Sequence, residues 1–214
     1  LWSRGLGDVY KRQALLRETA SGRLFGGLNL HYSNGRTKVA SIYGNGRINT
    51  DGYGVGASLT WYGDNGVYVD NQAQVTFYDS KLASTTAART LVHGNNGTAY
   101  VLSTEVGRRY AVSPGWTVTP QAQVMYSKVS FDDFTDTFGT AVTLDKGKSV
   151  RGRLGLSLDY ESAGQGKRMR SYGIVNLYNE FLDGTRVDVA GTAFASANER
   201  LLSLIHISEP TRPE

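Results

Sequence analysis

The chain has 214 residues and no cysteine, which excludes a disulfide framework and thiolate chemistry. Its three histidines, His31, His93 and His206, lie far apart, so no metal-ligand spacing exists. No apolar run is long enough to form a membrane-spanning helix. That leaves membrane β-barrels open, because they carry no such run. The formal net charge is only +4 and the basic residues form no stripe, so nucleic acid is not an expected partner. No GxSxG, HExxH, CxxC or phosphate-loop spacing occurs. No catalytic residue, metal site or cofactor is therefore assigned, and an enzyme is not expected. Proline is also scarce, 4 residues against 26 glycines and 13 tyrosines, a balance that suits curved antiparallel sheets.

What the chain does contain is alternation. In Val150–Tyr160, Val150, Leu154, Leu156, Leu158 and Tyr160 fall on one side, and Arg151, Arg153, Ser157 and Asp159 on the other. A period of two is that of a β-strand. The same pattern predicts strands over Leu24–Tyr32, Tyr53–Tyr62, Val67–Tyr78, Thr98–Tyr110, Trp116–Lys128, Ser149–Tyr160, Tyr172–Leu182 and Thr185–Ala195. These are about eight strands of about 9–13 residues, the length that crosses a bilayer in a tilted barrel. Turns are expected at Asn34-Gly35, Gly63–Gly66, Pro114-Gly115 and Asp183-Gly184. Arg36–Asn49 is ambiguous, long polar loops are expected at Asp79–Asn96 and Val129–Lys148, and Glu161–Arg170 reads as a polar linker. Asp132, Asp133 and Asp136 in the second loop read as solvated. Pro120 is expected at a bulge or near a rim, because proline cannot donate to a ladder.

The two faces predict an all-β, antiparallel transmembrane barrel with an apolar outer wall. The polar candidates for a lumen are Asp70, Gln72, Gln74, Glu105, Arg109, Gln121, Gln123, Arg151, Arg153, Asp159 and Glu180. Aromatic residues gather at strand ends, where lipid headgroups begin. The interface candidates are Trp61, Tyr62, Phe77, Tyr110, Trp116, Tyr126, Tyr160 and Phe181. An open sheet with one wet face shares the alternation, so a soluble β-rich binding module and a porin-like or structural barrel stay as alternatives.

Several runs together resemble the C-terminal translocator β-barrel of autotransporters, the type V secretion proteins of Gram-negative bacteria. They are GYGVGASLTWYGDNGVYVDNQAQVTFYDSKL from Gly52, YVLSTEVGRRY from Tyr100, WTVTPQAQVMYSKVSFDDFTDTFGTAV from Trp116, SVRGRLGLSLDY from Ser149 and YGIVNLYNEFLDGTRVDVAGTAF from Tyr172. The resemblance implies a 12-stranded barrel in the bacterial outer membrane, incomplete here. Such a barrel anchors and exports an N-terminal passenger to the cell surface, and a linker helix threads its lumen. It further implies outer-membrane lipid, the barrel assembly machinery and periplasmic chaperones as partners of a monomer. Residues 1–13 and 203–214 look like foreign read-through that does not continue the strand pattern, which leaves 14–202 as the partial barrel domain. The passenger and linker helix would lie outside the chain, and the family's last strands and terminal aromatic are expected to be missing.

Overall fold

The computed structural model describes residues 2–41, 44–144, 146–164, 167–182, 186–189, 192–195 and 201–211. Strands β1 (Trp2–Thr19), β2 (Gly22–Ser41), β3 (Gly44–Gly63), β4 (Val67–Ser84) and β5 (Arg89–Arg108) follow one another. They continue as β6 (Tyr110–Ser113), β7 (Trp116–Phe131), β8 (Phe134–Thr135), β9 (Ala141–Leu144), β10 (Gly147–Gly164) and β11 (Lys167–Glu180). The last are β12 (Arg186–Val189), β13 (Thr192–Ala195) and β14 (Leu201–Thr211). A 10-stranded antiparallel sheet runs in the order β1-β2-β3-β4-β5-β7-β10-β11-β14, with β6 beside β7. It is a curled, incomplete barrel wall, since among the described residues β1 and β14 end the path without pairing to each other. A second, 4-stranded sheet, β13-β12-β9-β8, is built from the connections.

The side-chain alternation sets the two faces. Leu28, Leu30, Val55, Leu59, Leu102, Val106, Val124, Leu154, Leu156, Leu158, Val175 and Leu177 all stand exposed on the convex face, Leu28 at 69% and Leu154 at 63%. Among the described residues, the buried hydrophobic side chains are only Ala99 and Ile174. The buried polar ones are Thr60, Thr76, Ser80, Asn95, Thr119, Ser157 and Asn176. The wall is inverted relative to a soluble sandwich. Fully burying a Val or Leu side chain stabilises by about 1.5–3 kcal/mol. The half-exposed set above therefore forgoes on the order of 10 kcal/mol in water, comparable with the whole net stability of a domain.

Several expectations are corrected. The strands of the main sheet up to β5 are 18–20 residues long, not about 9–13. Asn34-Gly35 is no turn, because both residues lie inside β2, paired with Asp51 and Thr50. The Asp79–Asn96 loop shrinks to the short connection between Ser84 and Arg89. Part of Val129–Lys148 is strand in β7, β8, β9 and β10, and Glu161–Arg170 is largely the paired ends of β10 and β11. In each case polar Ser, Thr, Asn and Gly carry ladder bonds through their backbones, and the ladder does not need apolar side chains. Thr185–Ala195 is two short strands, with Val189 paired to Thr192, rather than one. Val187 and Val189 alternate in four residues as they would in ten, so period two cannot reveal the reversal. The Asp183-Gly184 turn lies outside the described residues. Both end segments do continue the strand pattern: β1 pairs along β2, and β14 along β11.

Pro120 pairs with Leu156 on β10. Toward β5, the ladder stops at Gly107↔Gln121 and resumes on β6 at Tyr110↔Val118. The donor that proline lacks falls in this gap. In the Gly63–Gly66 turn, the Gly66 N–H donates to the Gly63 carbonyl at 3.0 Å. Gly66 has φ +82°, and an added Cβ would stand 2.7 Å from the Arg109 carbonyl oxygen. Gly66→Ala is therefore expected to cost about 1–3 kcal/mol, read as an earlier midpoint in urea unfolding of the detergent-folded protein.

Candidate functional site

The concave face is where the polar side chains converge. Register aligns Thr60 on β3, Asp70 on β4, Glu105 on β5, Gln123 on β7 and Arg153 on β10 as successive cross-strand partners. Asp70 and Glu105 are neighbours of like charge, and each has its own donors. Asp70 accepts from the Thr60 hydroxyl and, at 2.6 Å, from Gln72 Nε2. Glu105 accepts from the Tyr68 hydroxyl at 2.6 Å and forms an ion pair with Arg153. Arg153 reaches across β7 to do so, while Gln123 beneath it donates to Ser103 Oγ at 2.8 Å. The other arm of Arg153 donates to Asn176 Oδ1 at 3.2 Å, and its Nε is buried without a partner. One network thus ties β4, β5, β10 and β11 together.

A cavity of about 630 Å³ lies against this wall. Of the lumen candidates, Asp70, Gln72, Glu105, Arg109, Gln121 and Asp159 line it. Arg153 touches the wall through Glu105, and Gln74 lies 3.3 Å from His31 Nε2. Arg151 and Glu180 pair further along β10 and β11 at 3.7 Å. There Glu180 also accepts from Ser149 Oγ and the Val150 N–H. Tyr68, Arg170 and Tyr172 line the same cavity and were not among the sequence candidates. Tyr68 and Tyr172 share strand parity with Asp70 and Ile174, a signal that was present. Arg170 was hidden by the reading of its segment as a linker. His31 stands on this face with Nε2 at 2.9 Å from Thr76 Oγ1. Gly54 makes room for it, since a Cβ there would approach the ring to 2.6 Å.

The aromatic candidates sit as follows. By strand alternation Trp61, Phe77, Tyr110, Trp116, Tyr126, Tyr160 and Phe181 share the convex side with the exposed leucines. Trp116 packs on Tyr160 with ring centroids 4.6 Å apart, Phe77 lies beside Tyr53, and Arg108 covers the Tyr110 ring. Tyr62 instead has the parity of Thr60 and meets Phe25 and Tyr68 at the short-turn rim. The loop carboxylates serve their own turns. Asp136 accepts from the Phe138 and Thr140 N–H groups, and Asp133 from that of Leu144, each at 2.8 Å. Among the described residues no cluster of three His, Cys, Asp or Glu side chains could hold a metal ion.

An apolar convex face and a hydrogen-bonded polar concave face define a piece of barrel wall. Residues 8–204 match the autotransporter beta-domain family, and the chain belongs to that family. It is 43% identical over 203 residues to the adhesin BmaC autotransporter of Brucella suis, a match that covers 91% of this chain and 6% of that protein. The chain thus spans a small fraction of the length of that relative. The crystal structure of the beta domain of the Bordetella autotransporter BrkA superposes with a TM-score of 0.66 at 25% identity, covering 87% of this chain and 74% of that one. The transport unit of AIDA-I from Escherichia coli gives 0.73 at 15% identity, covering 94% and 71%, a likeness of fold.

The network carries a direct test. The Arg153 and Glu105 side chains are only 14% and 19% exposed. Glu105→Leu is expected to cost about 3–5 kcal/mol by leaving the guanidinium uncompensated. The double variant Glu105→Leu, Arg153→Met is expected to recover most of that loss in the same urea titration.

Proposed function

We propose that this β-domain is the outer-membrane translocator of a longer surface protein, which it anchors while an N-terminal passenger is exported. The observation that carries the reading is the inverted wall: leucines and valines face outward while carboxylates, guanidinium groups and amides pair inward. A backbone crossing lipid must satisfy its polar groups within the sheet, and a sheet does so by closing on itself. The family membership supports the same reading. Pairing among the inner charges leaves a wall that an extended or helical segment passes without being held by any single residue. The role is mechanical, with no catalytic step. The parent protein's partners on this reading are outer-membrane lipid, its own passenger and linker helix, the barrel assembly machinery and periplasmic chaperones. The aromatic residues on the convex side mark the interfaces of the lipid zone.

The ends of the chain belong to the same proposal. The family match stops at residue 204, just inside the closing segment, but begins at residue 8, within the opening one. Long-read sequencing through both junctions tests whether 1–13 and 203–214 are foreign. It also separates the two barrel readings. A long upstream passenger supports export, whereas a signal peptide directly before the barrel would replace it with a pore.

Membrane placement has its own test. Leu156→Arg, in the middle of the convex face, is expected to cost about 2–4 kcal/mol of folding into phosphatidylcholine bilayers. A half-exposed leucine of a soluble sheet would change by less than about 0.5 kcal/mol, and that outcome would remove the membrane reading.

A further inference from the structure

The convex face does not end at its aromatic residues. Past Tyr32, Tyr53, Phe77 and Tyr126, the same outward parity brings Arg36 and Lys38 on β2, Arg47 on β3, Lys81 on β4, Lys128 on β7 and Lys148 on β10. Two pairs among them are direct cross-strand partners of like charge, Lys38↔Arg47 and Lys128↔Lys148. Opposed like charges in a sheet are destabilising. Among the described residues none of these four cations forms an ion pair. Lys38, Arg47 and Lys148 are exposed and Lys128 is half-buried.

The middle of the row is internally compensated. Asp51 accepts from Asn34 Nδ2 at 2.7 Å and from the Tyr32 hydroxyl at 2.8 Å. Those bonds hold its carboxyl below the usual carboxylate range, with Lys81 and Arg36 adding to the effect. Asp51 and its cross-strand partner Asp79 set two carboxylates against Arg36 and Lys81, and the pairs Lys38↔Arg47 and Lys128↔Lys148 are left wanting an anion.

We propose that Lys128 and Lys148 form a lipid-phosphate belt at the long-loop rim, where the pair clamps a phosphate group of a membrane lipid headgroup. The inference rests on the translocator reading, since it needs the apolar band to sit in a bilayer. The belt is continuous with that band. Lys128 stands two residues beyond Tyr126 on β7, with Lys148 as its cross-strand partner, whereas Lys38 and Arg47 stand six residues beyond Tyr32 and Tyr53. The height of Lys128 and Lys148, about 7 Å past the ring of aromatic residues, is where phosphate groups stand above hydrocarbon, and Lys38 with Arg47 stands about 20 Å past it. A lysine opposite a lysine or arginine presents two charges to one phosphate, and the anion removes the repulsion that the bare sheet carries.

The test uses the full chain folded into phosphatidylcholine vesicles, with or without diphosphoryl lipid A. Heat-modifiable gel mobility reports insertion, and lipid A copurifying per protein reports capture. Two double variants, Lys38→Gln with Arg47→Gln and Lys128→Gln with Lys148→Gln, are compared with the unchanged chain. Both are expected to insert into plain phosphatidylcholine as before, the Lys128, Lys148 variant to capture roughly tenfold less lipid A, and the Lys38, Arg47 variant, whose charges stand too far from the band, to capture as much as the unchanged chain. Added salt is expected to weaken capture by the unchanged chain and by the Lys38, Arg47 variant, and not by the Lys128, Lys148 variant. Equal capture by all three proteins, or none by any, would overturn the belt while insertion upholds the barrel. Variants that fail to insert into plain phosphatidylcholine would overturn it too, by making the charges part of the fold. Failure of every chain to insert would strike the translocator reading and the belt with it.

Discussion

The interstrand backbone ladder is the constraint on which everything else in this molecule depends. A strand's N–H and C=O groups point sideways to its neighbours, so its side chains are left to alternate between two faces. Once β1, β2, β3, β4, β5, β7, β10 and β11 pair in that order, every second residue is committed to the convex side and the rest to the concave side. The apolar wall and the polar network are two consequences of one periodicity. A slip of one residue in any strand would carry leucines into the cavity and Glu105 or Arg153 out of it. Register and inner-wall chemistry are therefore coupled: the Glu105–Arg153 pair exists only while β5, β7 and β10 keep their present alignment.

The inner wall also shows how such a sheet tolerates charge. Asp70 and Glu105 lie side by side, which alone would be unfavourable. Each is served by a separate set of donors, a hydroxyl from β3 and an amide from its own strand for Asp70, a phenol from β4 and a guanidinium from β10 for Glu105. Small residues make this geometry possible. Gly54 gives its space to the His31 ring, and Gly155 lies under Asn176 and Gln121. The glycines on the concave face leave room for large polar groups.

Much of the fold was legible in the residues and some was not. The alternation in Val150–Tyr160 revealed the strand and both its faces, because apolar and charged residues differ sharply there. The strand ends were misjudged where both faces are polar. Asn34-Gly35 looked like a turn because that dipeptide favours one, yet the ladder with β3 runs straight through it and overrides the local preference. The six concave candidates that line the cavity followed from parity alone. The partnership of Glu105 with Arg153 did not, because it spans 48 residues of sequence and depends on the sum of every intervening turn and register. Tyr68 and Tyr172 were missed for a different reason: their parity was that of the concave face, but tyrosine suits either face of such a wall, so the residue type did not mark them.

The extra length of the strands has a consequence of its own. From Tyr53 back to Gly44, β3 continues for nine residues beyond the apolar band, on the order of 30 Å of hydrogen-bonded ribbon. Its neighbours β2 and β4 extend beside it. Paired strands are stiff where loops are slack, so this overhang acts as a collar. Whatever the connections at its top display is held at a set height and orientation above the band. Changes made there act on what approaches the rim and leave the register below untouched.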